Sequence, residues 1–295
     1  MRAFVYFSYN GTAYHGWQFQ PNAMSVQEQM ESAFSTLLRQ PVTLTAAGRT
    51  DTGVHARLMV AHFDLPEQLS IVHCPLSIFH LNDLAFKLNG FLPEDISIHR
   101  IVPVQPTAHA RFDATSRTYE YWVTDVKNPY TNHLITHTRF SLDYDLMNRA
   151  AELLLQTNDF ASFCKAHSDN RTTLCHVRRA FWEQRPLPFM SPYAAPTSPL
   201  TSHISHLTSP TSPLTSHISP LTSPSAWVFT IESDRFLRNM VRAVVGTLFE
   251  VGRGAMTLDQ MRRAILAHDR CAAGQSMPPD GLYLTDIRYP ETIFL

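Results

Sequence analysis

The sequence predicts an α+β protein built from two halves with the same succession of elements. In residues 1–110, alternating apolar positions and helix-capping signals give the order strand, helix, strand, strand, helix, strand, which is typical of a ferredoxin-like unit. Residues 111–295 repeat this order of elements without visible similarity of residues. The chain has 295 residues, of which 44% are hydrophobic, and this composition suits a globular protein with a sizeable core.

The first half opens with an alternating strand over residues 3–9. Ser25 and Glu28 have the spacing of a capping box, so a helix is expected from there to Gln40-Pro41. The apolar residues at helical spacing predict its buried face, formed by Val26, Met30, Ala33, Phe34 and Leu37. The remaining elements are strands near 42–47 and 58–64, a helix from about Ser77 to Asn89-Gly90 with Ile78, Leu81, Ala85 and Leu88 inward, and a strand near 96–102.

The second half opens with a strand over residues 118–124. We then expect a helix over about 143–155, strands near 174–184 and 226–233, a helix from about Arg235 to Val251, a helix from a capping box at Thr257 to about His268, and a strand near 282–288. On the helix at 235–251, residues three and four apart share one face, which would carry Arg235, Arg238 and Arg242. Gly246 continues that face without a side chain and leaves room for close approach.

An insertion of different composition occupies about residues 186–225. Residues 197–210 and 211–224 are a tandem duplication with one difference, His206 against Pro220. Serine, threonine and proline dominate the repeat, so we expect a disordered loop expansion between two strands of a hairpin. A binding or phosphorylation segment is the alternative interpretation.

Composition also limits the function classes. No apolar run reaches the roughly 18 residues of a membrane span, and the aromatic first residues do not form a signal peptide, so a cytoplasmic protein is expected. The formal net charge of −1 favours no partner by itself, whereas the preference for arginine over lysine suits phosphate contacts. A genomic composition bias explains that preference equally well. No cysteine pair has metal-ligand spacing, and no metal site is predicted.

The loop between the second and third strands carries the candidate reactive group, Asp51. Gly48 and Gly53 flank it and allow the backbone to approach a ligand closely. An ordinary turn in which Asp51 bonds its own backbone is the alternative that the loop alone allows. An unperturbed aspartate has a pKa of about 3.9, so this side chain would be ionised at neutral pH and, if buried, would require a cation.

Several short motifs occur in a fixed order along the chain. They are residues 14–18 (YHGWQ), 25–28 (SVQE), 48–56 (GRTDTGVHA), 81–82 (LN), 92–96 (LPEDI), 108–112 (AHARF), 116–121 (SRTYEY), 236–242 (FLRNMVR), Gly246, 251–252 (VG) and 281–284 (GLYL). In this order and spacing they resemble the tRNA pseudouridine synthase A family over nearly the whole chain, except about residues 186–225.

The resemblance implies an architecture and an activity. The expected fold is two ferredoxin-like halves that share a continuous, mainly antiparallel sheet, with the active-site cleft between them. Residues 1–110 would form the half with the catalytic loop and residues 111–295 the other half, which contains the insertion. The expected reaction isomerises uridine to pseudouridine at positions 38, 39 and 40 of the tRNA anticodon stem-loop. It requires no cofactor, and the expected partners are tRNA and a second copy of the chain in a homodimer.

The resemblance also implies roles for individual residues. Asp51 is the expected nucleophile, and Arg242 is its expected cation, whereas we expect Arg238 to be a solvated residue on the same helix. Tyr119 would stack on the extruded uracil, and its hydroxyl could move a proton in the last step.

Three further residues are expected to contact the substrate. Arg49 would hold a phosphate or the flipped nucleotide, and Leu282 and Leu284 would wall the pocket.

Two other functions remain open at this point. The first is a tRNA-binding protein of the same fold without catalysis, which the presence of Asp51, Tyr119 and Arg242 together disfavours. The second is a hydrolase that uses Asp51 as a general base with a partner carboxylate. No second carboxylate lies in the Asp51 loop, although a distant residue could contribute one.

Overall fold

The computed structural model describes residues 1–65, 78–165, 172–187 and 225–295. The elements before residue 110 are β1 (Arg2–Tyr9), α1 (Val26–Leu38), β2 (Thr45–Ala46), β3 (His55–Asp64), α2 (Ile78–Asn89) and β4 (Ile96–Pro103). Those after it are β5 (Ser116–Thr124), β6 (Thr136–His137), α3 (Tyr144–Glu152), β7 (Val177–Pro186), β8 (Ser225–Ser233), α4 (Met240–Gly252), α5 (Leu258–Leu266) and β9 (Leu282–Arg288).

The described strands form one sheet that crosses both halves of the chain. Its main path is β4-β1-β3-β9-β5-β8-β7, with β2 paired to β3 and β6 paired to β5. Strands β4-β1-β3-β2 and strands β9-β5-β8-β7 therefore repeat one spatial order, and β6 is an additional short strand. The prediction of an α+β fold with two ferredoxin-like halves on a mainly antiparallel sheet is confirmed.

The halves join through a short parallel pairing of β3 with β9. His55 lies opposite Tyr283, and Ala56 lies opposite Leu284. On its other side β9 pairs antiparallel with β5, so the last strand of the chain connects the two halves. This places the end of the β2–β3 loop directly beside the C-terminal strand.

The apolar stripes of the helices pack on the sheet and form its main core. In the first half, Phe34 of α1 packs edge-on against Phe63 of β3 with ring centroids 4.9 Å apart. In the second half, the ring centroids of Trp182 on β7 and Phe249 on α4 are 6.1 Å apart. The predicted inward residues of α1 are buried, with Leu37 partly so, and Leu81, Ala85 and Leu88 of α2 are buried as predicted.

The predicted helix caps are present to different degrees. Thr257 and Gln260 exchange both bonds of a capping box at the start of α5. Ser25 caps α1 by accepting a bond from the Glu28 amide, 3.3 Å away. Helix α1 ends at Leu38, before the predicted Gln40-Pro41, because Arg39 already takes a left-handed conformation with φ of 54°.

Helix α4 begins later than the sequence predicts. It starts at Met240 and not near Arg235, because Asn239 has a left-handed φ of 65° that no helix continues through. Upstream, Asp234 Oδ1 accepts hydrogen bonds from the amides of His176 and Arg235, both at 2.7 Å, and holds this stretch as a turn. Arg235 and Arg238 therefore precede the helix, and only Arg242 lies on it.

Some expectations fall outside the described residues. The repeat at 197–224, Cys74 and the predicted helix start at Ser77 are among them. On either side of the insertion, the β7–β8 ladder is regular from the pair Arg179 and Glu232 to the pair Pro186 and Ser225. Across the described ranges, no helix has the length and apolar character needed to span a bilayer.

Candidate active site

Residues 48–54 leave the sheet after β2 and return to it at β3 as a tight loop. The Val54 amide donates to the Asp51 carbonyl at 3.1 Å and closes the turn. Gly53 has a left-handed φ of 77°, and a Cβ at this position would lie 2.8 Å from the Pro279 ring. Glycine is therefore required here both by the backbone conformation and by the segment packed against it.

The loop rests on residues 9–17, which fix its backbone from below. Tyr9 OH and Thr50 Oγ1 are 2.8 Å apart, and the Gly53 amide donates to the Tyr14 carbonyl at 3.2 Å. Gly16 lies so close that a Cβ there would be 2.3 Å from the Thr50 carbonyl oxygen. The YHGWQ motif at residues 14–18 thus supports the loop through backbone contacts.

His55 anchors the other end of the loop. Its Nδ1 accepts a hydrogen bond from the Gly11 amide at 3.0 Å, and its Nε2 lies 3.2 Å from the Asp280 carbonyl oxygen. Burial lowers the pKa of His55, so the ring is neutral and its one proton is on Nε2, donated to Asp280. The imidazole also stacks on Tyr283, and together these contacts join the loop to the C-terminal half.

Two arginines face the Asp51 carboxylate, one on each oxygen. Arg242 Nη1 is 3.8 Å from Oδ2, and Arg238 Nε is 4.0 Å from Oδ1. Both distances are longer than a hydrogen bond, so the pairs are electrostatic contacts that leave the carboxylate lone pairs free to react. The predicted pairing of Asp51 with Arg242 is present in the geometry.

The structure adds two details to this pairing. Arg238 is not merely a solvated neighbour: although its side chain is 62% exposed, the turn before α4 brings its guanidinium to the carboxylate. The Asp51 side chain is 29% exposed, so the carboxylate is only partly buried and keeps contact with solvent. The two arginines therefore act mainly by attracting and orienting the carboxylate, because only part of its charge is removed from solvent.

Arg242 is held in place by the segment that precedes β9. Its Nε donates to the Met277 carbonyl at 2.6 Å, while the Met277 amide donates to the Arg242 carbonyl at 3.1 Å. Gly246 permits this contact, because a Cβ there would lie 1.7 Å from the Gln275 carbonyl oxygen. The close approach predicted at Gly246 is therefore made by residues 274–277.

Tyr119 lies on β5, within electrostatic range of the Asp51 carboxylate. Its ring packs edge-on against Phe236, with centroids 5.0 Å apart. Burial raises the pKa of Tyr119 to about 12, and the negative charge of Asp51 adds to the rise while Arg117 opposes it. The hydroxyl is therefore protonated at neutral pH and can donate a hydrogen bond.

The remaining candidates are placed differently. Leu284 lies opposite both Tyr119 on β5 and Ala56 on β3, while Leu282 lies opposite Tyr121, and both leucine side chains are buried. Arg49 is exposed, and no hydrogen bond or ion pair joins it to the other residues that the structure describes. The structure thus gathers Asp51, Arg242, Tyr119 and Leu284, whereas Arg49 lies on the loop surface.

Arg117 is a residue of this region that the sequence reasoning did not single out. Its guanidinium donates to the carbonyls of Ala47 at 2.9 Å and Asp234 at 2.6 Å, and so connects the Asp51 loop to the turn that carries Arg238. Burial lowers its pKa. Arg117 and Tyr119 are two residues apart on one strand and so share a face of the sheet. This spacing is the sequence feature that could have identified Arg117.

Potential metal ligands are dispersed among the described residues, and the thiol of Cys175 is buried. Within those ranges, no group of three His, Cys, Asp or Glu side chains could hold a metal ion. Burial raises the pKa of Cys175 to about 12, so this thiol is protonated and unreactive at neutral pH. The groups that the structure gathers here are Asp51, the two arginines and Tyr119.

Comparison with known proteins gives a consistent result. A family model described as tRNA pseudouridine synthase matches residues 150–290. The chain is 45% identical over 293 residues to a tRNA pseudouridine synthase A from Parabacteroides distasonis, covering 99% of this chain and 98% of the relative. It is also 45% identical to the protein of that name from Bacteroides thetaiotaomicron, with 99% and 92% coverage, and 44% identical to that from Porphyromonas gingivalis, with 100% and 99% coverage.

Proposed function

The chain belongs to the tRNA pseudouridine synthase A family, and from that premise we propose that it modifies the uridines at positions 38, 39 and 40 of the tRNA anticodon stem-loop. It is an isomerase that converts uridine in tRNA to pseudouridine. The observation that carries the mechanism is the placement of the Asp51 carboxylate. It is held on a hydrogen-bonded loop, between two guanidinium groups, without a hydrogen bond to either.

The reaction rearranges bonds without adding or removing atoms. The Asp51 carboxylate attacks the nucleoside, and the bond between the uracil nitrogen and the ribose breaks, with its electron pair on the base. The base turns and bonds to the ribose through a ring carbon, which releases the carboxylate. That carbon then loses its proton and the free nitrogen gains one, so the product is an isomer of the substrate.

Arg242 and Arg238 have different roles in this proposal. Arg242 is fixed through Met277 and orients the Asp51 carboxylate during the attack. Arg238 is largely exposed, so it is also available to an RNA phosphate once the substrate is bound.

Tyr119 is proposed to hold the target base. Its ring can stack on an extruded uracil, and its protonated hydroxyl can donate a hydrogen bond to the detached base. Because its pKa is raised to about 12, it acts as a base in the final step only if its own proton is passed on in the same step.

Three further residues complete the proposed site. Arg49, exposed on the same loop as Asp51, is proposed to bind a phosphate or the flipped nucleotide. Leu284, beside Tyr119, and Leu282 are proposed to form the apolar wall that keeps water from the base.

The proposal extends to assembly, location and domain division. We propose a homodimer in which one subunit positions tRNA for the other, and a cytoplasmic location, where the tRNA substrate is found. We also propose that the chain divides at residues 1–110 and 111–295, since the strand order of the sheet repeats about that point.

The decisive experiment replaces Asp51 with asparagine. Asp51→Asn keeps the size of the side chain and removes the nucleophilic charge, so turnover should fall below detection while tRNA affinity stays within about twofold, because affinity comes mainly from dispersed phosphate contacts. Mass spectrometry of an unmodified tRNA transcript measures pseudouridine and maps positions 38, 39 and 40, and filter binding measures affinity. Asp259→Asn, at an exposed residue of α5 paired with Arg262, is the matched control.

The outcomes separate the candidate functions. An Asp51→Asn protein with full activity would exclude this carboxylate as the nucleophile. A wild-type protein that binds the transcript but never forms pseudouridine would favour the non-catalytic binding protein. Modification at other uridines would keep the enzyme and correct its target positions.

A further inference from the structure

An exposed aromatic side chain has no role in the chemistry above and follows Arg111, whose carbonyl shares a donor with the residue before the Asp51 loop. Phe112 is 75% exposed, in the turn that leads into β5. The His109 ring lies against it with centroids 4.2 Å apart and planes 33° apart, and Arg111 Cζ is 5.8 Å from its centroid. We name His109, Arg111 and Phe112 the aromatic platform.

Hydrogen bonds close the turn that carries the platform. His109 Nδ1 accepts from the amides of Arg111 at 3.1 Å and Phe112 at 3.4 Å, which fixes the imidazole against its neighbours. The His109 amide in turn donates to Asp113 Oδ2 at 2.7 Å, and the Asp113 amide donates to the His109 carbonyl at 3.0 Å. The exposed ring is therefore carried by a hydrogen-bonded turn and lies against the His109 imidazole that the turn holds.

Arg117 places the platform next to the reactive loop. Its Nη2 atom donates both to the Arg111 carbonyl at 2.6 Å and to the Ala47 carbonyl at 2.9 Å. Ala47 immediately precedes the loop at 48–54, so the backbones of the platform and of that loop meet at one nitrogen atom. Through Nη1, the same guanidinium also binds Asp234, at the start of the turn that carries Arg238.

We propose that the aromatic platform binds an unpaired RNA base close to the target uridine. This inference rests on the proposed function and adds a second nucleotide contact to it. An exposed aromatic face with an adjacent guanidinium is the arrangement that stacks a base and neutralises its phosphate. Extrusion of the target uridine unstacks the bases beside it, and Phe112 would replace the lost stacking partner of one of them.

The test compares Phe112 with a similar pair elsewhere in the molecule. Phe140 is also exposed, with Arg253 Cζ 5.5 Å from its ring, but Arg253 follows the C-terminal end of α4. At 1.5 Å per residue, that end is about 15 Å along the helix from Arg242. Phe140→Ala therefore removes an equivalent aromatic group distant from Asp51 and serves as the control.

Binding of an unmodified tRNA transcript is measured by filter binding at several salt concentrations. Phe112→Ala should raise Kd about tenfold or more, whereas Phe112→Tyr should stay within about twofold of wild type, as expected for loss and retention of one base stack. Phe112→Leu should behave like alanine, because it keeps apolar bulk but lacks a π face. Arg111→Gln should lower the slope of log Kd against log salt by about one, while Phe112→Ala leaves that slope unchanged.

Several results would overturn the proposal. One is a Phe112→Ala or Phe112→Leu variant that binds like wild type; another is an equal loss in Phe140→Ala. Melting temperatures show that each variant is folded, and sedimentation of Phe112→Ala shows whether the ring instead contacts a second copy of the chain, which would also refute base stacking. Pseudouridine formation by the wild type is assayed in parallel, so that failure of the platform alone is distinguished from failure of the proposed function.

Discussion

The two halves of the sheet have one strand order but use the last strand of that order differently. In the first half this strand is β2, with only two residues, whereas its counterpart β7 has ten and pairs with β8 along its length. The Ala47 amide still donates to the Val60 carbonyl, but the Ala47 carbonyl is bound by Arg117, and the ladder ends there. The start of β3 pairs instead with β9 from the other half.

The difference shows how one repeated unit can produce an asymmetric site. Because β2 is short, residues 48–54 form a loop at the point where the halves meet. This loop carries Asp51, and in the described ion pairs both Arg238 and Arg242 face its carboxylate. The first half thus contributes the carboxylate, and the second contributes Tyr119 and the cations. Neither half contains the complete set.

The largest expected effect comes from removing the fixed cation of the second half. Arg242→Gln should lower kcat at least about 100-fold, because a preorganised charge beside the reacting group is lost. Arg238→Gln should lower kcat far less and act mainly on tRNA affinity, since Arg238 is 62% exposed against 22% for Arg242. Steady-state kinetics of both variants check this, with Arg262→Gln on α5 as control. Equal losses in the two variants would show that the cations are equivalent.

The next effect concerns the connection between the halves. Arg117→Met leaves the carbonyls of Ala47 and Asp234 without their donor, so we expect the free energy of unfolding to fall by about 2–4 kcal/mol. Because Arg117 also places the Asp51 loop, kcat should fall while Kd for tRNA changes little. Urea unfolding and single-turnover rates measure the two effects. A stability loss with unchanged kcat would mean that Arg117 holds the fold but does not position the loop.

A smaller, pH-dependent effect is expected at His62, opposite Thr45 of the short strand β2. Its Nδ1 accepts from the Ala110 amide at 3.1 Å, and burial lowers its pKa to about 4, with His109 and Arg2 adding to the fall. Between about pH 6.5 and 4 the unfolded chain takes up a proton at this residue and the folded chain does not. Stability should therefore fall as the pH drops through this window and should not fall further, for this group, below it.

Urea unfolding at a series of pH values tests the His62 prediction. The His62→Gln variant should show a flatter dependence of unfolding free energy on pH, by up to one bound proton. An identical slope in the variant and the wild type would assign the acid sensitivity to other groups.

The smallest effect is expected from shortening the insertion that follows β7, the long strand of the second half. Deleting residues 196–224 removes the repeat but leaves the β7–β8 ladder, which is complete up to Pro186 and Ser225. Loop closure changes by only about 0.6 kcal/mol for each doubling of loop length, so melting temperature and activity should stay close to wild type. A melting temperature lowered by more than about ten degrees would exceed what the change in loop-closure free energy can cause and would show that the repeat contributes to the fold. Loss of tRNA modification would show that it contributes to the site.

Local patterns in the sequence were sufficient for the order of elements, whereas the central residues of the proposed site were predicted from the resemblance of their motifs to a known family. Apolar periodicity located the strands and helices, because alternate and helical spacings report which face of an element is buried. The glycine-flanked Asp51, the helix with Arg242 and the strand with Tyr119 were identified from their motifs, and the structure brings the three together.

Tertiary structure alone decided how the halves meet and which second cation reaches Asp51. The parallel pairing of His55 with Tyr283 joins residues far apart in the chain, and local periodicity carries no information about partners at that distance. The approach of Arg238 depends on the left-handed Asn239, which ends the helical register that the sequence suggested. The role of Arg117 depends on carbonyl groups, which every residue has and no sequence pattern marks, so only the folded chain shows that they converge on one guanidinium.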